Sequence, residues 1–190
     1  MAQEPYQLMN GPFAVYIADP VELPPDIDNA PTGNWELLGV SGDKDITEEG
    51  ISINMEQAIS WFRGLGSTAP RKGFRTTEDL IVSFTLADAS VENYARAFND
   101  AAIELGGNHR RIALLQGAEV AQFSLLIYGD GKSAYGDFNS LFWLPRCSHD
   151  ANLETKIVKG EPIGLAYKFH ALIDDTYGLG RFDMGDSAGS

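Results

Sequence analysis

Residues 76–108 read TTEDLIVSFTLADASVENYARAFNDAAIELGGN, and the rest of the chain is organised around them. Leu80, Val82, Phe84 and Leu86 alternate with Ile81, Ser83 and Thr85, the period-2 signature of a strand with one strongly apolar face. Asp88 and Ser90 then offer short polar side chains that accept hydrogen bonds from the free N–H groups of a helix start. Beyond Ser90 the period changes. Val91, Tyr94, Ala95, Phe98 and Ala102 share one helical face, with Glu92, Arg96 and Asp100 on another. This predicts a helix over about residues 90–105, stopped by Gly106-Gly107, and no other convincing helix in the chain.

Immediately upstream, SWFRGLGSTAPRKGFR (residues 60–75) sets Trp61, Phe62, Leu65 and Phe74 among three glycines, a proline and four bases. The expectation is an irregular loop over residues 60–76 whose apolar side chains become buried against a partner. The alternative is a loop folded back on its own core. Before it, Ile51 to Ile59 alternates. Ile51, Ile53, Met55, Gln57 and Ile59 form a face expected to pack; Ser52, Asn54, Glu56 and Ala58 form one expected to meet water. SGDKDITEEG (residues 41–50) is an acidic turn without the glycine and terminal glutamate of a calcium-binding loop. Trp35 to Val40 reads as a short strand. Pro20, Pro24, Pro25 and Pro31 make residues 19–34 a long irregular loop, of the kind that carries function or meets partners. Phe13 to Ala18 is a first strand with Phe13, Val15 and Ile17 on one face, and residues 1–12 are an arm.

Downstream, residues 108–111 read as a turn and Ile112 to Gln116 as a short strand. Val120 to Tyr128 is a longer strand with Phe123, Leu125 and Ile127 facing the core and Gln122 and Ser124 opposite. Asp130-Gly131 signals a hairpin, with the return near Phe138 to Leu144 and Pro145 ending it. Leu153 to Val158 and Ile163 to Leu172 form a second hairpin, the latter with Ile163, Leu165, Tyr167, Phe169 and Ala171 on one face. Residues 173–190 are a polar tail. The pattern predicts one domain over 1–190, mainly β. It is an antiparallel sandwich or partly closed barrel of eight or nine strands, with the helix over an open edge or end.

A chain of 190 residues with 44% hydrophobic content supports a substantial core. No apolar run approaches the length of a membrane span, and MAQEPYQLMNG lacks a signal-peptide pattern, so assembly in cytoplasm is expected. The single cysteine, Cys147, rules out an internal disulfide or a Cys-rich metal site. The net charge of −13 argues against gripping nucleic-acid phosphates, though not against a surface that DNA passes without sticking. The charge is unevenly spread. Residues 1–60 hold eleven acids and one base, whereas residues 61–75 hold four bases (Arg63, Arg71, Lys72, Arg75) and no acid. An acidic head and a basic loop can attract another copy head to tail; a solvated acidic surface with a basic loop is the plainer alternative.

Catalytic patterns fare badly. Cys147-Ser148-His149 is the best nucleophile-plus-base candidate, and it reads as loop sequence without function. His109 sits in a turn, and His170 reads as a plain sheet residue. Gly64-Leu-Gly66 does not continue into a dinucleotide fingerprint, and Gly129-Asp-Gly131-Lys132 lacks phosphate-loop spacing. Neither a catalytic centre nor a cofactor or metal site is predicted.

The ordered set Trp35-Glu-Leu-Leu-Gly39, Glu49-Gly50-Ile51, Thr77-Glu78 leading to Phe84 and Leu86, then Tyr94 and Asn99, spans about a third of the chain. It resembles the major tail tube proteins of long-tailed bacteriophages. The resemblance implies a β-sandwich flanked by a helix, forming hexameric rings that stack into a hollow virion tail tube. A tape-measure protein fills the tube before DNA passes through it, and tail-tip or baseplate and terminator proteins close its ends. It also implies that the long loop orders on stacking, with Trp61, Phe62, Arg63, Leu65, Arg71, Lys72, Phe74 and Arg75 as inter-ring candidates. Ser52, Asn54, Glu56, Gln122 and Ser124 are candidates for a polar bore from which phosphates are repelled. Two other classes fit the same pattern. One is another β-rich particle component: a contractile-tail or injection-machine tube, a tail terminator or a capsid protein. The other is a carbohydrate-binding sandwich with Trp35, Trp61 and Trp143 as stacking platforms.

Overall fold

A computed structural model describes residues 9, 11–114, 119–150, 159 and 163–186. Among the described residues the strands are β1 Ala14–Ala18, β2 Glu36–Leu37, β3 Ile46–Phe62, β4 Lys72–Leu86, β5 Ile103–Gly106, β6 His109–Ile112, β7 Phe123–Gly129, β8 Ser140–His149, β9 Leu165–Ala171 and β10 Arg181–Met184, with one α-helix, α1 Val91–Ala97, and a short 3-10 helix at Gly42–Asp45. The fold is mainly β and antiparallel. Seven strands run β2-β1-β7-β8-β9-β4-β3, with β10 beside β8, and the sheet does not close into a barrel. β5 and β6 pair separately.

The sheet curls over its own core. Val15 and Ile17 of β1 share one cluster with Val82, Phe84 and Leu86 of β4, although three strands separate them in the sheet. Leu125, Ile127, Leu144, Leu165, Tyr167 and Phe169 belong to it as well. The alternation expected for β4 and β9 holds: Leu80, Val82, Phe84 and Leu86, like Leu165, Tyr167 and Phe169, are buried. Phe84 stacks on Tyr167 and Phe169 at 5.4 and 6.2 Å.

A second cluster lies on the other side of β7 and β8: Ala18, Trp35, Leu126, Tyr128, Leu141 and Trp143. The proline-rich loop covers it. Within the loop, the Leu23 carbonyl accepts from Trp35 Nε1 at 3.0 Å, the Glu22 carbonyl from Trp143 Nε1 at 3.0 Å, and the Ile27 carbonyl from Asn139 Nδ2 at 3.0 Å. A strand covered on both faces cannot show the wet face that alternation implies.

The helix is half the expected length. Ser90 caps it, accepting from Asn93 N, and Asn93 Nδ2 donates to the Asp88 carboxylate at 3.0 Å. Apolar periodicity continues past Ala97, but Asn99 and Asp100 adopt left-handed φ values of 61° and 54°, which end the helix. Asn99 then ties down the following chain, its Oδ1 accepting from Ala121 N at 2.5 Å. Gly107-Asn108 is the turn of the β5–β6 hairpin rather than a helix stop, and residues 109–112 are a strand rather than a turn.

Pro145 lies inside β8 and does not end it. β8 pairs Leu144 with Leu125 and Cys147 with Phe123, so Pro145 and Arg146 sit in a bulge opposite Ser124, where a missing N–H costs least. The polar tail contributes a strand, β10, with Phe182 against Phe142 at 5.8 Å. Most of the N-terminal arm, the expected strand at 153–158 and the end of the tail lie outside the described residues.

Candidate assembly surface

β9 accompanies β4 only from Ile81 to Leu86. From the pair Met55↔Leu80 outward to Phe62↔Lys72, β3 and β4 continue as a two-stranded ribbon. Residues 60–62 and 72–76, expected to be loop, are therefore strand; only Arg63 to Arg71 form the turn. Trp61, Phe62 and Phe74 favour extended backbone, and Gly73 lets the indole of Trp61, opposite it on β3, lie close against it. The turn is closed by Arg71 N donating to the Phe62 carbonyl at 2.8 Å and Ser67 N to the Gly64 carbonyl at 3.0 Å. A register shift between Ala58 and Ile59 marks a bulge, where Thr76 Oγ1 donates to the Ala58 carbonyl at 3.0 Å.

The ribbon's large apolar side chains are about half exposed. Ile53 faces the same side as its partner Val82, and Met55 the same side as Leu80. Val82 and Leu80 are buried, whereas Ile53 and Met55 are 43% and 51% exposed. The packing expected for this face stops at Ile51. The stripe runs on through Ile59 to Trp61, which is 58% exposed; Phe62, Phe74 and Leu65 are also exposed. Burial of one such side chain contributes about 1.5–3 kcal/mol, and an isolated two-stranded ribbon is only marginally stable in water.

The ribbon's charges differ in their pairing. Arg75 is paired with Glu78, and Lys72 Nζ sits 5.0 Å over the Phe74 ring. Among the described residues, Arg63 and Arg71 have no carboxylate within ion-pairing distance.

Ser52, Asn54 and Glu56 lie on the opposite face of β3, all exposed, with Asn54 Nδ2 donating to Glu56 Oε1 at 2.9 Å. The rows of Ser52 and Asn54 continue across Ser83 and Ile81 of β4 to Lys168 and His170 of β9, and Glu56 lies opposite Asp79. Lys168 and His170 both meet Asp150, at 3.3 and 3.5 Å. Hydrogen bonding from Lys168, with a smaller contribution from His170, holds the Asp150 carboxyl below its ordinary range. Gln122 is exposed and accepts from Arg146 Nη1 at 3.3 Å. The face is mixed in sign rather than simply acidic. No sequence signal joined Asp150 to β9.

Ser124 does not belong to this surface. It is fully buried, and its hydroxyl donates to the Leu144 carbonyl at 3.1 Å while lying 3.0 Å from Trp143 Nε1. Trp35 and Trp143 are buried as well, which removes two of the three stacking platforms of a sugar-binding reading.

Cys147 and His149 are in a strand, not a loop, and both are buried. Burial pushes the Cys147 thiol up to about 12 and holds His149 below its ordinary value. A thiol kept protonated is a poor nucleophile. In the acidic turn, Asp45 Oδ2 accepts from Val40 N and Ser41 N at 2.6 and 2.5 Å, so that carboxylate is engaged in holding the turn.

No protein-family model matches the chain, and no curated protein matches it. The likeness to tail tube proteins rests on the ordered residues quoted above, among which Trp35, Phe84 and Leu86 are buried structural positions.

Proposed function

We propose that this chain is a non-catalytic structural subunit of a phage-type tail tube. Copies close into hexameric rings, the rings stack into a hollow tube, and DNA leaves through the bore. The observation that carries the reading is the β3–β4 ribbon, whose Ile53, Met55, Ile59 and Trp61 continue the core face of the sheet outward and remain 43–58% exposed in the single chain. A neighbouring copy supplies the missing cover, and pairing between subunits also removes the open edge of β3. Ser52, Asn54, Glu56 and Gln122, on the polar face, are the bore candidates. The tape-measure, tail-tip or baseplate, and terminator proteins follow from the same resemblance. A contractile-tail or injection-machine tube would use the ribbon in the same way.

The test replaces Trp61–Phe74 with an Asn-Gly turn. The expected variant keeps the wild-type circular dichroism spectrum and forms no tubes by negative-stain microscopy under conditions where the wild type does. Normal tubes from that variant would remove the ribbon from assembly.

A further inference from the structure

Resting on the tube reading, we infer that the ribbon's tip docks into a groove at the base of the same ribbon on a second copy, so that the chain carries both halves of its own stacking contact. The groove, of about 460 Å³, lies where β3 leaves the acidic turn. Phe13, Ile46 and Ile51 give it an apolar lining, and Asp43 and Glu48 give it negative charge. Among the described residues neither carboxylate is in an ion pair or a hydrogen bond. Its size falls within the range of about 300–1,000 Å³ typical of pockets that enclose a discrete group.

The tip has the complementary chemistry. Leu65 is fully exposed and Phe62 is more than half exposed; Arg63 and Arg71 flank them with no carboxylate partner among the described residues. Apolar side chains beside unpaired cations meet an apolar lining beside unpaired anions, and such matching steers encounter and fixes register. The tip cannot reach its own groove, because the two lie at opposite ends of β3. From Gly50 to Phe62 the strand extends about 40 Å. A contact between opposite ends of one element is heterologous, and translated copies repeat it without closing. The ribbon length therefore sets the scale of the axial repeat, about 40 Å.

The experiment uses two charge-reversed full-length chains, Asp43→Lys with Glu48→Lys (groove) and Arg63→Glu with Arg71→Glu (tip), followed by sedimentation and negative-stain microscopy beside the wild type. Each alone is expected to lose at least tenfold in tube yield. An equimolar mixture, in which each tip meets an opposite groove, and a single chain carrying all four changes are expected to regain tubes. Rescue in either format also shows that the variants fold. Tubes at wild-type yield from either single-site variant, or rescue in neither format, overturn the docking while leaving the tube reading intact. Absence of tubes from the wild type at every concentration overturns the tube reading itself.

Discussion

Trp61 lies directly across the β3–β4 pair from Gly73, and its ring covers the glycine so closely that a Cβ there would stand 2.9 Å from Trp61 Cζ3. The same Cβ would meet Ile59 Cγ2 at 3.1 Å. Gly73→Ala therefore displaces the indole from the ribbon. Because Trp61 is 58% exposed and belongs to neither core cluster of the described residues, the change in unfolding free energy is expected to stay within about 0.5 kcal/mol. The concentration needed for assembly rises, and Trp61 fluorescence shifts. Unchanged assembly would show that the indole's position on the ribbon is immaterial.

Phe84 and Met55 lie on the same face of the same strand pair, with opposite consequences. Phe84→Ala removes a buried ring stacked on Tyr167 and Phe169 and is expected to cost about 3–5 kcal/mol by urea unfolding of the monomer. Met55→Ser alters a side chain already half in water, so monomer stability changes by less than about 0.5 kcal/mol while tube formation weakens. A large stability loss for Met55→Ser would mean that the stripe is covered by its own chain.

Ser124→Ala removes a hydroxyl that joins the Leu144 carbonyl, Trp143 Nε1 and the Glu22 carbonyl beneath the proline-rich loop. Leaving buried polar groups unmatched costs about 1–3 kcal/mol. The expected phenotype is lower stability in denaturant with normal tubes once folded. Altered tubes without a stability change would return Ser124 to the bore.

The polar-face assignment of Ser124 failed for a physical reason. Alternation reports two environments only where one face of a strand is wet, and β7 is covered on both. The apolar face of β4 and that of β9 were legible because each has a single core side. The helix reads longer than it is because Phe98 and Ala102 keep the period while Asn99 and Asp100 turn the backbone. The outer end of the ribbon, residues 60–62 and 72–76, reads as loop because Gly64, Gly66, Pro70 and Gly73 mask two strand ends whose pairing is long-range. The candidate tip residues were legible as large apolar groups beside bases. Ile53, Met55 and Ile59 were visible as a stripe, but nothing local told that the core stops at Ile51.

His149 gives the fold an acid limit. It is buried edge-on against Tyr167 and Phe169 at 5.3 and 5.4 Å, and burial outweighs the opposing pull of Asp150 to hold it below its ordinary value. The unfolded chain therefore binds the proton more readily. The stability from neutral His149 is complete above the unfolded value of 6.5 and declines as pH falls below it. One proton limits the slope to about 1.4 kcal/mol per pH unit. Urea unfolding from pH 8 to 5 should show this decline in the wild type and a flatter profile in His149→Phe. Equal profiles would place the acid sensitivity elsewhere.

The claim on which everything else depends is that one chain leaves the ribbon unfinished and other copies complete it. Sedimentation velocity of the full-length protein across a wide range of concentration and ionic strength tests this most directly. The account predicts growth from a small species to large polymers as concentration rises. A single monomer boundary at every concentration and every salt would contradict it.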